Sequence, residues 1–538
     1  MKKSIFELMT DMQKDLNSKN INKDNLISQE VIEKYEIFKK WLNDNGAIYP
    51  KLSFPVKFSN IIGCQALEDI NPNSCIFYIP YKLLIDASNV KIDYIPEGLK
   101  KNNTIKLVLF LLEEYEKKEK SFYKPYIDII LLNDFSNYTP FWSKDDFLEL
   151  NDEMVEENIN YYINEITEYY YEIFGENEKE KKKYDFMLFK LFYVFVFSRQ
   201  FNIGDNKMFL IPLADLLNHS PYADIKYEFL DSKNLVMKYT SDFNDNNNLS
   251  KDIISNNLQN YTDFSDFFKY FKNNSQNGDE LKIIRVNYED EEETKYELTN
   301  DDYFVISTNE QSFKKNSQIF NNYGICSNEY LLVNLGFCLL DNPGDKTKVV
   351  LSFMNPEKKM KKFLTDNYIE DFLNKDSYLK DKAIYIRLYI KRNKISTKIL
   401  KILRYSIYNN NNNKNFDKKK EIECYENYIE FINKNISVKA YSQFKLINNI
   451  KEMTKNGIKN ENLFNITVFK LTQKLNLIYQ KEAINSMINI LKNDKETKIK
   501  NIKDFIDEVK KNDKIKSIYL KSEDIKNMII YYLNKMIK

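Results

Sequence analysis

The only histidine of the 538-residue chain, His219, closes the segment PLADLLNHS at Pro212–Ser220, with Asp215 and Asn218 just ahead of it. A carboxylate, an amide and an imidazole so close together form a cluster of hydrogen-bond donors and acceptors at an element end. The plainer reading is a turn whose Asp, Asn and Ser side chains bond nearby backbone. One histidine excludes a two-histidine metal site, an HExxH protease and a Cys₂His₂ finger within this chain. A hydrolase using His219 is disfavoured because no G-x-S-x-G elbow accompanies it.

Two further segments carry chemistry. In IFNNYGICSNEYLLVNLGF at Ile319–Phe337, a Tyr-Gly pair follows a β-type run, and Ser327-Asn328 opens an apolar helix ending at Gly336-Phe337. That pattern places the Tyr323 phenol at a tight turn, or else buries it as core. In SRQF at Ser198–Phe201, Arg199 sits directly behind LFKLFYVFVF, the most apolar stretch of the chain. A guanidinium there has a carboxylate to hold, from the protein or from a ligand.

The elements that must position these residues alternate in type. Residues 1–30 read as a polar lead-in. A helix follows with Ile32, Tyr35, Phe38, Trp41 and Leu42 on one face, ended by Gly46. Lys51 to Ile85 reads as short strands, CIFYIP at Cys75–Pro80 being the clearest. Residues 104–119 and 153–200 are helical in period. The β pattern then returns in IKYEFL at Ile225 and LVMKYT at Leu235, expected to form a hairpin, and in YFVIS at Tyr303 and SQIFNNYG at Ser317. Ser241 to Glu280, rich in Asn, Asp and Ser around the island FSDFFKYF, reads as a surface insertion that is mostly disordered. From Pro356 onward the pattern is amphipathic helix, broken at Asn409–Asn413 and Gly457, which predicts a separate all-α domain.

Composition narrows the class. Lys and Arg number 80 against 79 Asp and Glu, and a net charge of +1 leaves no global excess of cations to displace counterions from nucleic acid. Five scattered cysteines with no C-x-x-C fit a reducing compartment, the cytoplasm or nucleus. The first twenty residues include Glu7, Asp11 and Asp15, unlike a secretory or transit leader, and Leu188–Phe197 is too short to cross a bilayer.

Taken in order, FKKWLNDNGA at Phe38, SNIIGCQALEDI at Ser59, CIFYIP at Cys75, SFYKPYIDIILL at Ser121, SRQF, ADLLNHS and QIFNNYGICSNEYLLVNLGF resemble the SET-domain methyltransferases of the RuBisCO large-subunit lysine methyltransferase type, a family with an actin-histidine branch. The resemblance runs from about Glu33 to Asp345. It implies an α+β fold: a SET domain over 31–350, interrupted by a helical insert at about 101–205 and the low-complexity insertion at about 241–280, then an all-α substrate-binding domain over 351–538. It implies S-adenosylmethionine as cofactor, held by Asn60, Ile61, Ile62, Arg199, Asp215, Asn218, His219 and Phe337. Tyr323 matches the catalytic tyrosine, and Arg199, Asp215, Tyr323 and Leu335 would face the substrate. No metal, nucleic acid or membrane is implied; the partner is a substrate protein and the chain is expected to be monomeric. Two positions depart from the family pattern. Ile61-Ile62-Gly63 stands where Gly-x-Gly is frequent, and Leu335 where lysine-methylating members often carry a second tyrosine. Leu335 leaves histidine open as the target, and both departures carry the competing reading of a catalytically inactive SET-like protein-binding module. A third reading, a helical scaffold with an incidental β centre, would tolerate loss of Tyr323 and Asn218.

Overall fold

The computed structural model describes residues 3–18, 27–58, 61–175, 183–203, 207–230, 302–354, 358–366, 383–408, 416–439, 441–494 and 498–537. Asn60, the LVMKYT strand, the 241–280 insertion and the Asn409–Asn413 break lie outside them. Packing divides the chain into two units, one of Leu16–Trp142 with Glu153–Gly324, the other of Met1–Asp15, Ser143–Asp152 and Ile325–Lys538. These differ from the 31–350 and 351–538 ranges read from sequence, because the packing units are assembled from segments distant in the chain.

The unit ending at Gly324 holds ten short strands among its described residues: β1 Leu52–Phe58, β2 Ile61–Ala66, β3 Cys75–Pro80, β4 Ile85–Asp86, β5 Phe201–Asn202, β6 Met208–Leu210, β7 Asn218–His219, β8 Ile225–Leu230, β9 Tyr303–Thr308 and β10 Gln318–Asn321. They form three sheets of order β1-β2-β10-β7, β3-β9-β8 and β4-β6-β5. β3 is buried at every position, which explains its unbroken apolar run. β8 pairs antiparallel with β9 across the long intervening segment, Ile225 opposite Thr308.

Helix Gln29–Asp44 starts where the Ser28 side chain accepts from the Val31 N–H. It buries Tyr35, Phe38, Trp41 and Leu42, whereas Ile32, expected on the same face, is 36% exposed. The first turn therefore lies at the edge of the packed stripe. Between β4 and β5 come helices Asn103–Glu116, Lys124–Leu131, Glu153–Phe174 and Phe186–Arg199. The last is apolar nearly all round, as a helix in the middle of a core must be, and it begins with the Asp185 side chain accepting from Leu188 N–H. Phe189, Phe192 and Val196 along it are fully buried in one contiguous core that also takes in Phe38, Phe54 and Tyr126. Its final residue is Arg199.

In the other unit the reading of an all-α tail needs correction. β11 Lys346–Met354 and β12 Ala383–Lys391 pair antiparallel along nine residues each, Val349 opposite Leu388. Ile386, Leu388 and Ile390 alternate into the core at period two. The same alternation is present in the sequence IYIRLYIK at Ile384–Lys391, where it marks a strand inside an otherwise helical stretch. The polar lead-in also contains a helix, Ile5–Ser18. It is supported from far along the chain: Ile5 and Phe6 N–H donate to the carbonyls of Ile518 and Tyr519 at 3.0 and 3.1 Å, and the Phe6 ring faces the Arg392 guanidinium at 4.1 Å.

Phe38 is fully buried and its ring lies 6.2 Å from those of both Phe54 and Tyr126. Phe38→Ala is expected to cost about 3–5 kcal/mol in urea unfolding of this unit. Ile32→Ala, at the helix edge, should stay within about 0.5 kcal/mol of the parent.

Candidate active site

The site is built where β10 and β7 run parallel, Phe320 opposite Asn218 and Asn321 opposite His219. Ser220 N–H donates to Asn321 O at 2.9 Å, which carries the pairing one residue further. The chain leaving β10 is thereby laid beside the chain leaving β7, and Tyr323 meets His219 in three ways. The Tyr323 N–H donates to His219 Nδ1 at 3.1 Å, the two rings stack at 4.9 Å and 19°, and the Tyr323 hydroxyl donates to Leu217 O at 2.8 Å.

These contacts assign protonation states. Because Nδ1 accepts from a backbone N–H, the His219 proton sits on Nε2. Burial, with 8% of the residue exposed, holds the imidazole pKa down at about 4, so the ring is neutral near pH 7. Tyr323 is half-buried, but its hydroxyl end is enclosed. Burial pushes its pKa above the ordinary phenol range, against the pull of the Arg199 charge. The phenol is thus a neutral, fixed dipole whose oxygen keeps acceptor capacity while its hydrogen is committed to Leu217 O.

Asp215 is carried by the short turn Ala214–Leu216, whose preceding residue, Leu213, is buried with φ of +78°. A bulky residue in that region costs on the order of 1–3 kcal/mol, so surrounding packing must hold the turn. Asp215 Oδ2 accepts from the Tyr126 hydroxyl at 2.6 Å, while buried Oδ1 has no hydrogen-bond partner. Burial pushes this carboxyl up to about 6, opposed by the Arg199 charge and the Tyr126 bond. Arg199 lies over the Phe195 ring at 5.5 Å and donates through Nη1 to the Asp215 backbone carbonyl rather than to its carboxylate.

Asn218 reaches the neighbouring strand, donating through Nδ2 to Ile62 O at 3.2 Å. A Cβ on Gly63 would lie 2.6 Å from that Nδ2 and 2.9 Å from Gln318 Nε2. Bare backbone at Gly63 is therefore what allows the Asn218 contact. Ile62 packs against the core, and the Ile61 side chain is 44% exposed.

The structure thus gathers Ile62, Arg199, Asp215, Asn218, His219 and Tyr323 of the sequence-predicted residues, with Ile61 on the adjoining end of β2. Leu335 and Phe337 are carried by the other unit: Leu335 is buried at the end of the π-helical turn Leu331–Leu335, and Phe337 follows Gly336, whose φ is +73°. Sequence reasoning missed Tyr126, Gln318 and the strained Leu213. Only Tyr126 left a signal, as a polar-tipped ring beside Ile127, Ile129 and Ile130 on the buried face of helix Lys124–Leu131.

No family model matches the chain. Over 232 residues it is 31% identical to the [fructose-bisphosphate aldolase]-lysine N-methyltransferase, chloroplastic, of Arabidopsis thaliana, covering 40% of this chain and 47% of that protein. Over 321 residues it is 22% identical to the protein-lysine N-methyltransferase EFM1 of Saccharomyces cerevisiae, covering 58% of this chain and 51% of that one. The chain spans about half the length of these curated relatives. Among solved structures, the SET domain of LSMT bound to lysine and AdoHcy superposes with a TM-score of 0.54 at 16% identity, over 85% of this chain and 92% of that one. Rubisco LSMT bound to sinefungin and monomethyllysine gives 0.53 at 16% identity, over 86% and 93%. The fold is that of the LSMT SET-domain proteins.

Two substitutions probe this geometry. The folded-state pKa of Asp215 is raised, so its contribution favours the folded state below the unfolded value near 3.8 and is lost as pH rises through about 6. Asp215→Asn should therefore melt higher than the parent at pH 8, with the gap closing toward pH 4, as read by thermal unfolding across that range. Gly63→Ala should destabilise by about 1–3 kcal/mol in urea unfolding, because two side-chain amides must give way to the methyl group.

Proposed function

We propose that this chain, built on the SET-domain fold, is an S-adenosylmethionine-dependent protein N-methyltransferase that acts on a lysine side chain of a protein substrate. The observation that carries the reading is Tyr323, fixed as a neutral phenol between His219 and Leu217 O at the β10–β7 junction. The names of both curated relatives, protein-lysine N-methyltransferases, support it. So do the AdoHcy and lysine described with the SET-domain neighbour.

The residues present suit the cofactor. Asn218, His219 and Tyr323 present a neutral amide, imidazole and phenol, the charges of Arg199 and Asp215 both act on Tyr323, and Gly63 leaves the backbone bare beside Asn218. Asn218, His219, Arg199 and the Ile62 backbone would hold the cofactor, together with Phe337 as the resemblance implies. When bound, S-adenosylmethionine supplies a methyl group on a positively charged sulfur. The chain's part is alignment and electrostatics. The Tyr323 hydroxyl oxygen, oriented by its bond to Leu217 O, offers lone pairs toward polarised C–H groups. The low-dielectric surroundings that keep His219 neutral also disfavour an ammonium, so a lysine entering here reacts as its neutral amine. Because His219 and Tyr323 hold their protonation states near pH 7, the polarity of the site is set before substrate arrives.

We further propose that the tail over 351–538 binds the substrate protein, that the chain acts as a monomer, and that it works in the cytoplasm or nucleus. All five thiols are free, as a reducing compartment keeps them. Among the described residues no helix is long and apolar enough to cross a membrane. The net charge of +1 gives no general attraction to nucleic acid.

Calorimetric titration with S-adenosylmethionine tests the reading. The parent should bind with micromolar affinity and Asn218→Ala about tenfold or more weakly. Tyr323→Phe should retain binding but lose about 10²-fold or more in labelled-methyl transfer to a protein extract. A folded parent chain that binds no cofactor would sink the enzyme reading in favour of a binding module.

A further inference from the structure

The 33-residue helix Glu461–Asn493 runs through the core of its unit, yet a buried stripe along it is polar: Asn465, Thr472, Asn476 and Gln480. Buried amides in a helix interior are unfavourable unless their hydrogen bonds are satisfied. Here they are satisfied by segments that lie far away in sequence. Asn465 Nδ2 donates to Gly336 O at 3.2 Å, Asn476 Nδ2 to Asp345 Oδ2 at 3.0 Å, and Gln480 Nε2 to the carbonyls of Lys391 and Lys394 at 3.1 and 2.7 Å. Thr472 Oγ1 accepts from Asn328 Nδ2 at 3.0 Å.

Next to this stripe the matching is incomplete at two atoms. Thr472, Leu475, Asn476 and Tyr479 share one face of the helix, and with Arg392 and Met9 they line a cavity of about 10 Å³. The Tyr479 hydroxyl and Arg392 Nη2 are buried, and neither has a hydrogen-bond partner among the described residues. The rest of the guanidinium is engaged: Nη1 donates to Asp341 Oδ1 at 2.8 Å, and the Phe6 ring lies 4.1 Å from the group. The Asp345 carboxyl also lines the cavity. Its oxygens accept from Asn328 N–H and Asn476 Nδ2, which leaves lone pairs free.

Size and charge select what fits. One water needs about 10–15 Å³, so the cavity takes a single water and is too small for a phosphate or an organic acid. An anion is disfavoured as well, because Asp341 already meets the Arg392 charge and Asp345 stands in the wall. A cation would face the guanidinium. Only a neutral molecule with both donors and acceptors suits every group present. Helix Ile5–Ser18 supplies the cover. Met9 lines the cavity and is itself buried, the Phe6 ring meets Tyr479 edge-on at 6.5 Å, and Gln13 Oε1 accepts from Leu340 N–H at 2.8 Å.

We propose that this cavity is a binding site for one water molecule, which bridges Arg392 Nη2, the Tyr479 hydroxyl and the Asp345 carboxyl beneath helix Ile5–Ser18. The water completes the polar layer between β12, the long helix and the segment around Asp345. The proposal is independent of the methyltransferase reading.

The test uses the full chain and Tyr479→Phe, which keeps the ring and removes only the hydroxyl. A hydroxyl bonded to a held water is nearly as favourable as one in a direct bond. Tyr479→Phe should therefore lower the folded-to-unfolded ratio of this unit about fivefold in urea unfolding. A dry cavity predicts the opposite sign, since losing an unsatisfied buried hydroxyl leaves the ratio unchanged or raises it, and that result overturns the proposal. The water is also read directly, by magnetic cross-relaxation from solvent to the labelled Met9 methyl group, which bulk water does not reach at 3% exposure. A cross-peak is expected in the parent, and its absence overturns the proposal. A parent ratio that rises in chloride over acetate at equal ionic strength, and no longer does so in Tyr479→Phe, would mark a halide in place of the water and overturn it too.

Discussion

The hydrogen bond from the Tyr323 N–H to His219 Nδ1 is the contact on which the candidate site depends. It exists only because β10 and β7 run side by side in the same direction, a pairing between segments about a hundred residues apart. Parallel neighbours need a crossover, and the long crossover here includes the whole β3-β9-β8 ladder's later strands. Once that pairing forms, the His219 tautomer, the Tyr323 ring plane and the direction of the Tyr323 hydroxyl follow from it. Gly63 then admits Asn218 to the neighbouring strand, which joins the site to β2.

Electrostatically the site separates two kinds of group. His219 and Tyr323 are held neutral by burial, with their titrations pushed away from pH 7 in opposite directions. Asp215 is the exception, a buried carboxyl brought toward neutrality, with the Tyr126 hydroxyl on one oxygen. Arg199 binds the Asp215 backbone and acts on its carboxyl through charge. A guanidinium engaged in this way leaves the carboxylate chemistry open rather than neutralising it in a closed ion pair.

Much of this was legible in the sequence because it is local. Turn residues delimit β3, apolar period marks the helices around Phe192, and the order of short segments around Arg199, Asn218, His219 and Tyr323 pointed to the SET fold. What escaped depends on partners remote in the chain. Helix Ile5–Ser18 reads as polar lead-in until Ile518, Tyr519 and Arg392 are placed beside it. The β12 strand is the exception, a local signal whose period of two is plain in Ile386, Leu388 and Ile390. Tyr126 looks like core until Asp215 comes within 2.6 Å, and Asn465 looks like one polar residue among many in helix Glu461–Asn493 until it meets Gly336 and Cys338.

The polar stripe along Glu461–Asn493 has a consequence for how that helix finds its place during folding. An apolar face could slide by a turn against its neighbours and bury nearly the same area. Amides at 465, 476 and 480 make such a slip expensive, since each carbonyl or N–H left without a partner costs about 1–3 kcal/mol. The stripe therefore acts as a vernier: only one axial setting brings Gly336, Asp345 and Lys391 into line together. Register along this helix is specified by hydrogen-bond matching, and hydrophobic burial supplies the driving force without choosing the setting.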